Sequence, residues 1–144
     1  MIALDTSSLV HYLGGSAGKD VEAVDLALAQ SQACLPPVVL SEMLSDPELP
    51  QRLEEALLHI PTLDVQPSYW ERAGRLRAQV ISAGHKAKLA DTLIAQICLD
   101  HDVPLITRDR DFRHFVAAGL RLLPGQGHDS GAGVGWHYGQ DSRR

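Results

Sequence analysis

Cysteine is scarce in this chain: Cys34 and Cys98 are the only two in 144 residues. They lie far apart, each among apolar neighbours, which fits two buried thiols in a cytoplasmic protein better than a disulfide framework. No apolar run approaches the ~18 residues that span a bilayer, which predicts no membrane association. The opening MIALDTSSLV has no basic region before its apolar stretch. It therefore does not read as a signal peptide but as a strand that begins almost at once. Basic residues are nearly missing from residues 1–66, where Lys19 and Arg52 face ten acidic side chains, a net of −8.

What is present is ordinary for one globular domain. Hydrophobic residues make up 44% and charged residues 22%, and this length can bury a core without disulfides. The overall charge of −5 speaks against a polyanion ligand, but its distribution reverses the reading. Residues 67–144 carry eleven basic against eight acidic side chains, a net of +3. Local fields, not the total, decide where a polyanion lands.

Along the chain, short apolar runs alternate with helical periodicity. Strands are predicted at Ile2–Leu4, Ala33–Leu35, Thr62–Val65, Val103–Thr107 and Leu120–Leu123. Pro36 and Pro37 open a helix at its first turn, where a missing N–H costs little. Tyr69, Ala73, Leu76 and Val80 recur at helical spacing, with Trp70 and Ile81 beside them, and both sets read as core. Gly84 stops that helix, and Leu89, Leu93, Ile94 and Ile97 start the next. The alternation predicts an α/β fold with a mostly parallel sheet covered on both faces. Residues 1–124 form the domain. Residues 125–144 are glycine-rich without apolar periodicity and read as a flexible tail.

Two predicted strands run into acid. Asp5 follows Ile-Ala-Leu, and Asp109 lies just past Pro-Leu-Ile-Thr. In open α/β sheets the functional crevice lies beyond the carboxyl ends of strands, so both would reach one rim. Glu42 falls one turn into the helix after the proline pair, and Asp91 near the start of the next-to-last helix. Taken singly, Asp5 and Asp109 read as helix caps, and Glu42 and Asp91 as solvated acids. Together they suit phosphodiester hydrolysis, where a hard cation offsets the accumulating negative charge and acidifies water.

Four stretches carry a family resemblance: Met1-Ile-Ala-Leu-Asp5-Thr-Ser-Ser-Leu-Val, Val39-Leu-Ser-Glu42, Leu89-Ala-Asp91-Thr-Leu-Ile-Ala-Gln and Leu105-Ile-Thr-Arg-Asp109-Arg-Asp-Phe112. In order, spacing and flanking residues the chain resembles the PIN-domain nucleases, and more closely the VapC-type toxins of bacterial toxin–antitoxin pairs. The resemblance covers about residues 1–124. It implies a three-layer fold with a five-stranded, mostly parallel sheet between helices, and endonucleolytic cleavage of RNA. It places the family's acids on Asp5, Glu42, Asp91 and Asp109, with Mg²⁺ or Mn²⁺ held by Asp5, Asp91 and Asp109. Thr107 matches the family's hydroxyl residue near the fourth acid, and Thr6 is a second supporting hydroxyl. Asp111 reads as a neighbour on the short helix. A small antitoxin, with a basic side chain entering the acidic site, and a homodimer are the implied protein partners.

Basic residues available to meet an RNA backbone are Arg72, Arg75, Arg77, Lys86, Lys88, Arg108 and Arg110. For the residues before Asp91 the competing reading is a solvated helix face, and for Arg108 and Arg110 it is pairing with nearby acids. Other functions fare worse. Gly14–Lys19 resembles a phosphate-binding loop, but Leu13 and Asp20 stand where glycine and a hydroxyl residue are required. A receiver-type domain needs a lysine after a late strand, and no lysine follows Lys88. A catalytically silent PIN-type binding module is the remaining alternative, and the presence of all four acids argues against it.

Overall fold

The computed structural model describes residues 1–124. The expected glycine-rich tail, 125–144, lies outside the described residues. Elements alternate as the sequence pattern predicts: β1 (Ile2–Leu4), α1 (Thr6–Leu13), α2 (Lys19–Ala29), β2 (Ala33–Cys34), α3 (Pro37–Leu44), α4 (Gln51–Leu58), α5 (Tyr69–Ser82), α6 (Leu89–His101), β3 (Leu105–Ile106), a 3-10 helix (Arg110–Ala118) and β4 (Leu122–Leu123).

The sheet order among these strands is β2-β1-β3-β4, and every pairing is parallel. A fifth strand position is reduced to one bridge. Leu35 pairs with Thr62, flanked by backbone bonds Leu35 N–H to Pro61 C=O (2.8 Å) and Leu63 N–H to Leu35 C=O (2.9 Å). The residues beyond, Asp64 to Ser68, are exposed and, apart from Val65, polar or turn-forming, so no covered ladder forms there.

Parallel strands must be covered on both faces, and they are. Ala3, Leu4, Leu105 and Ile106 are all fully buried, although successive side chains point to opposite sides. Pro36 and Pro37 start α3 as expected. Gly84, at φ +90°, supplies the left-handed turn after α5. The 3-10 helix is anchored by Phe112 and Phe115, both fully buried with ring centroids 6.2 Å apart.

One predicted core stripe is corrected. Tyr69, Ala73, Leu76 and Val80 face inward, whereas Trp70 (64% exposed) and Ile81 (49%) face solvent. The two stripes are adjacent on one helix, and the core takes only the first. Trp70 rests edge-on against Tyr69, centroids 5.0 Å apart. Leu89 also lies outside the core, at 56% exposure. No helix among the described residues is long and apolar enough to cross a membrane.

Candidate active site

β1 and β3 are adjacent and parallel, with Leu4 opposite Ile106. One step further along both strands puts Asp5 beside Thr107, and the Asp5 N–H donates to the Ile106 carbonyl at 3.0 Å. The register therefore brings the two strand-end acids to one rim.

Thr107 organises that rim. Its hydroxyl donates to Asp5 Oδ2 at 2.6 Å and accepts from the Asp109 N–H at 3.0 Å. Ser7 donates to the same Asp5 oxygen at 2.7 Å. Sequence reasoning misses Ser7, although the hydroxyl run Thr6-Ser7-Ser8 after an acid is a visible signal. Asp5 stands at the start of α1, but its side chain makes no capping bond, so the cap reading fails for it. Asp109 does cap: its Oδ1 accepts from the Asp111 N–H at 2.9 Å.

Asp91 enters from the first turn of α6. Arg77 Nε donates to the Ala87 carbonyl at 2.6 Å and so ties the approach to this helix onto α5. Glu42 is exposed on α3 and is held by the Thr6 hydroxyl at 2.5 Å.

The electrostatics shows which acids share a field. Burial pushes the Asp5 carboxyl up to about 6, against the pull of its Thr107 and Ser7 hydrogen bonds, and the Asp109 charge adds to the rise. Asp91 is pushed up to about 7, first by burial, then by the charges of Asp109 and Asp5; Lys88 works the other way and Asp111 adds slightly. Asp5, Asp91 and Asp109 thus form one repelling cluster, while Glu42 is joined to it through Thr6. Thr107→Val removes a donor that favours the charged form of Asp5. Its carboxyl should then titrate above about 6 in ion-free protein. Carboxyl-carbon NMR reads this directly, and an unchanged titration would exclude Thr107 as the support of Asp5.

Among the described residues, no three His, Cys, Asp or Glu side chains are drawn together tightly enough to enclose an ion. Mg²⁺ does not need enclosure. It keeps several waters and is commonly held by one or two carboxylates. An all-oxygen donor set that repels itself suits a hard cation of that kind.

The predicted RNA-binding cations divide. Arg75, Lys86, Lys88 and Arg110 are exposed. For Arg108 the structure corrects the RNA-binding reading in favour of acid pairing: it is 4% exposed, and its guanidinium is turned inward onto Asp20, with Nε to Oδ2 at 2.7 Å and Nη2 to Oδ1 at 2.9 Å. Thr107 and Asp109 act on Asp5 at the rim, while the side chain between them turns to Asp20. Arg72 is likewise engaged, bonded to Asp100 and, at 2.8 Å, to the Pro67 carbonyl. Arg77 spends its Nε on Ala87. Three of the seven are therefore held within the fold.

The PIN domain family profile matches residues 2–117. Solved structures share the fold. FitAcB from Neisseria gonorrhoeae is 24% identical, covers 85% of this chain and 96% of its own, and superposes with a TM-score of 0.65. VapBC2 from Rickettsia felis, bound to a DNA fragment from its promoter, is 18% identical over 85% and 97%, with a TM-score of 0.63. A toxin–antitoxin complex from Klebsiella pneumoniae is 23% identical over 76% and 87%, with a TM-score of 0.58. No curated protein matches the chain.

Proposed function

The chain belongs to the PIN domain family, and from that premise we propose that it is a metal-dependent endoribonuclease acting as the toxin of a toxin–antitoxin pair. The observation that carries the reading is the cluster of Asp5, Asp91 and Asp109, in which Asp5 and Asp91 are each held above the ordinary carboxylate range by burial and by their neighbours' charge. Strongly perturbed carboxylates cluster at functional sites, and a cation would relieve their repulsion. Asp5, Asp91 and Asp109 would hold Mg²⁺ or Mn²⁺. When bound, such an ion offsets charge on the phosphodiester and acidifies water in its shell.

The chain's own groups do the positioning. Thr107 and Ser7 fix the Asp5 carboxylate, Thr6 fixes Glu42, and the bond to the Asp111 N–H fixes Asp109. Arg75, Lys86, Lys88 and Arg110 are the exposed cations that would meet RNA phosphates. The toxin assignment is supported by the relative from Klebsiella pneumoniae, itself a toxin–antitoxin complex. A small antitoxin would place a basic side chain among the three aspartates, where an Arg can form paired hydrogen bonds with a carboxylate.

The alternative is a silent RNA- or protein-binding module. Incubation of the full chain with labelled single-stranded RNA separates the readings. Internal cuts are expected with Mg²⁺ or Mn²⁺, and none in chelator. Replacing Arg75, Lys86 and Lys88 with Ala should weaken RNA binding and lower the salt slope by about 0.7 for each phosphate no longer neutralised. Binding without cleavage in either metal would leave the silent module. Cleavage by a chain that neither slows growth on expression nor co-purifies with a small protein would remove the toxin role alone.

A further inference from the structure

Between α5 and the 3-10 helix lies a cavity of about 290 Å³ that the site described above does not use. Its floor is the apolar edge of α5, at Leu76 and Val80, and its walls include His85, Arg113 and His114. The two imidazoles are stacked, with ring centroids 4.2 Å apart and planes 16° from parallel. We propose that this cavity is a base-binding subsite, in which one nucleotide of a single-stranded RNA stacks its base on the His85–His114 pair while Arg113 meets its phosphate. The proposal rests on the ribonuclease reading and says where the strand runs as it leaves the scissile position.

Placement is the first argument. Residues three apart in a 3-10 helix eclipse one another and rise about 2.0 Å each. Asp111, His114 and Ala117 therefore share one edge of the 3-10 helix, with His114 about 6 Å beyond Asp111. His114 and Ala117 both line the cavity. Asp109 caps the N-terminus of this 3-10 helix, so the element that walls the cavity begins at the acid cluster. Stacked against His114, His85 sits in the loop that leads to α6 and Asp91, with exposed Lys86 and Lys88 following it.

Chemistry is the second argument. Ligand pockets run roughly from 300 to 1,000 Å³, so this cavity is at the small end and suits one planar ring. Bases stack on aromatic faces without regard to identity, and Arg pairs with phosphate through a rigid fork. Burial, with His85 and Arg113 close by, lowers the proton affinity of His114, which favours a neutral ring and a flat stacking face.

The test uses the full chain with Asp5→Asn, to prevent cleavage, and fluorescent oligoadenylate eight-mers in Mg²⁺. One abasic residue is stepped along the oligonucleotide. At one position the missing base should weaken binding roughly tenfold, the scale of one stacked base. In His114→Ala and His85→Ala backgrounds that penalty should fall below about twofold, while penalties elsewhere stay as they were. His114→Phe keeps a stacking face and should keep the penalty; with melting curves it separates lost stacking from lost folding. An abasic penalty untouched by the histidine substitutions, or no position-dependent penalty at all, overturns the subsite while wild-type cleavage still upholds the nuclease. Failure to bind any RNA, joined to absence of cleavage, overturns both.

Discussion

Asp5→Asn should reduce Mg²⁺-dependent RNA cleavage by on the order of 10³-fold, and at pH 8 in chelator it should also raise the melting temperature. The loss of rate follows from removing a carboxylate that would hold the cation, a contribution of several kcal/mol to the transition state. The gain in stability follows from the proton affinity of the buried acid. Asp5 is raised to about 6 in the folded chain from an ordinary value near 3.8. A raised carboxyl binds protons more tightly in the folded than in the unfolded state. Its contribution is therefore fully present below about pH 4 and is lost as pH climbs through about 6. Asp91, raised to about 7, extends the same loss toward neutrality. Ion-free wild type should thus lose stability between about pH 4 and pH 8, and Mg²⁺ should restore it. An amide at position 5 has no charge to bury and should flatten the profile. Calorimetry against pH, with and without Mg²⁺, reads both effects. A wild-type profile that is flat in chelator would mean that the acids do not share one field. Full cleavage by Asp5→Asn would remove the site.

The strand-end acids are legible in the sequence because each follows a short apolar run, and parallel neighbours finish at the same rim. Asp5 and Asp109 obey that logic through a register visible only in the sheet itself, Leu4 opposite Ile106. Asp91 and Glu42 reach the rim on helices, α6 and α3, and no spacing in the chain ties them to the strands. Family resemblance supplies those two positions. Helical periodicity finds α5 but does not choose between two adjacent stripes, because Tyr69 and Trp70 are both aromatic and one turn faces both ways. The choice is made by α6, where the Leu93 carbonyl accepts from the Tyr69 hydroxyl at 2.6 Å. The His85–His114 stack has no local signal, since its members come from a loop and a 3-10 helix 29 positions apart.

Arg108 shows a different limit. Flanked by Thr107 and Asp109, it reads in sequence as a phosphate ligand or as a partner for a nearby acid, and the fold turns it inward, away from the rim. There it meets Asp20, an acid whose only visible context is the glycine-rich run Gly14–Lys19. That run has a structural use. Gly18 adopts φ +150°, and a Cβ there would lie 2.6 Å from Asp20 Oδ1 and 2.9 Å from Arg108 Nη2. The glycine makes space for the ion pair, not for a phosphate.

Breaking that pair should be the most destabilising polar substitution in the domain. Both side chains are only 3% exposed, so solvent cannot replace a missing partner. Arg108→Met strands the Asp20 carboxylate among buried groups, and removing one member of a buried pair costs roughly 3–5 kcal/mol. For a chain of this size that corresponds to a fall of about 10–15 °C in melting temperature. The cost belongs to the stranded charge, not to the attraction removed. Asp20→Leu combined with Arg108→Met should therefore recover most of it, because well-packed apolar replacements of buried pairs are often neutral. Urea unfolding of the two single variants and the double variant closes the cycle. Thr107 and Asp109 flank Arg108, so the single variant should also lose cleavage at temperatures where it is still folded, and the double variant should regain part of it. If Arg108→Met costs under about 1 kcal/mol, the pair is not what fixes the segment after β3 that carries Asp109. If the double variant is as unstable as the single ones, the damage comes from packing around the guanidinium stem and not from an unpaired buried charge.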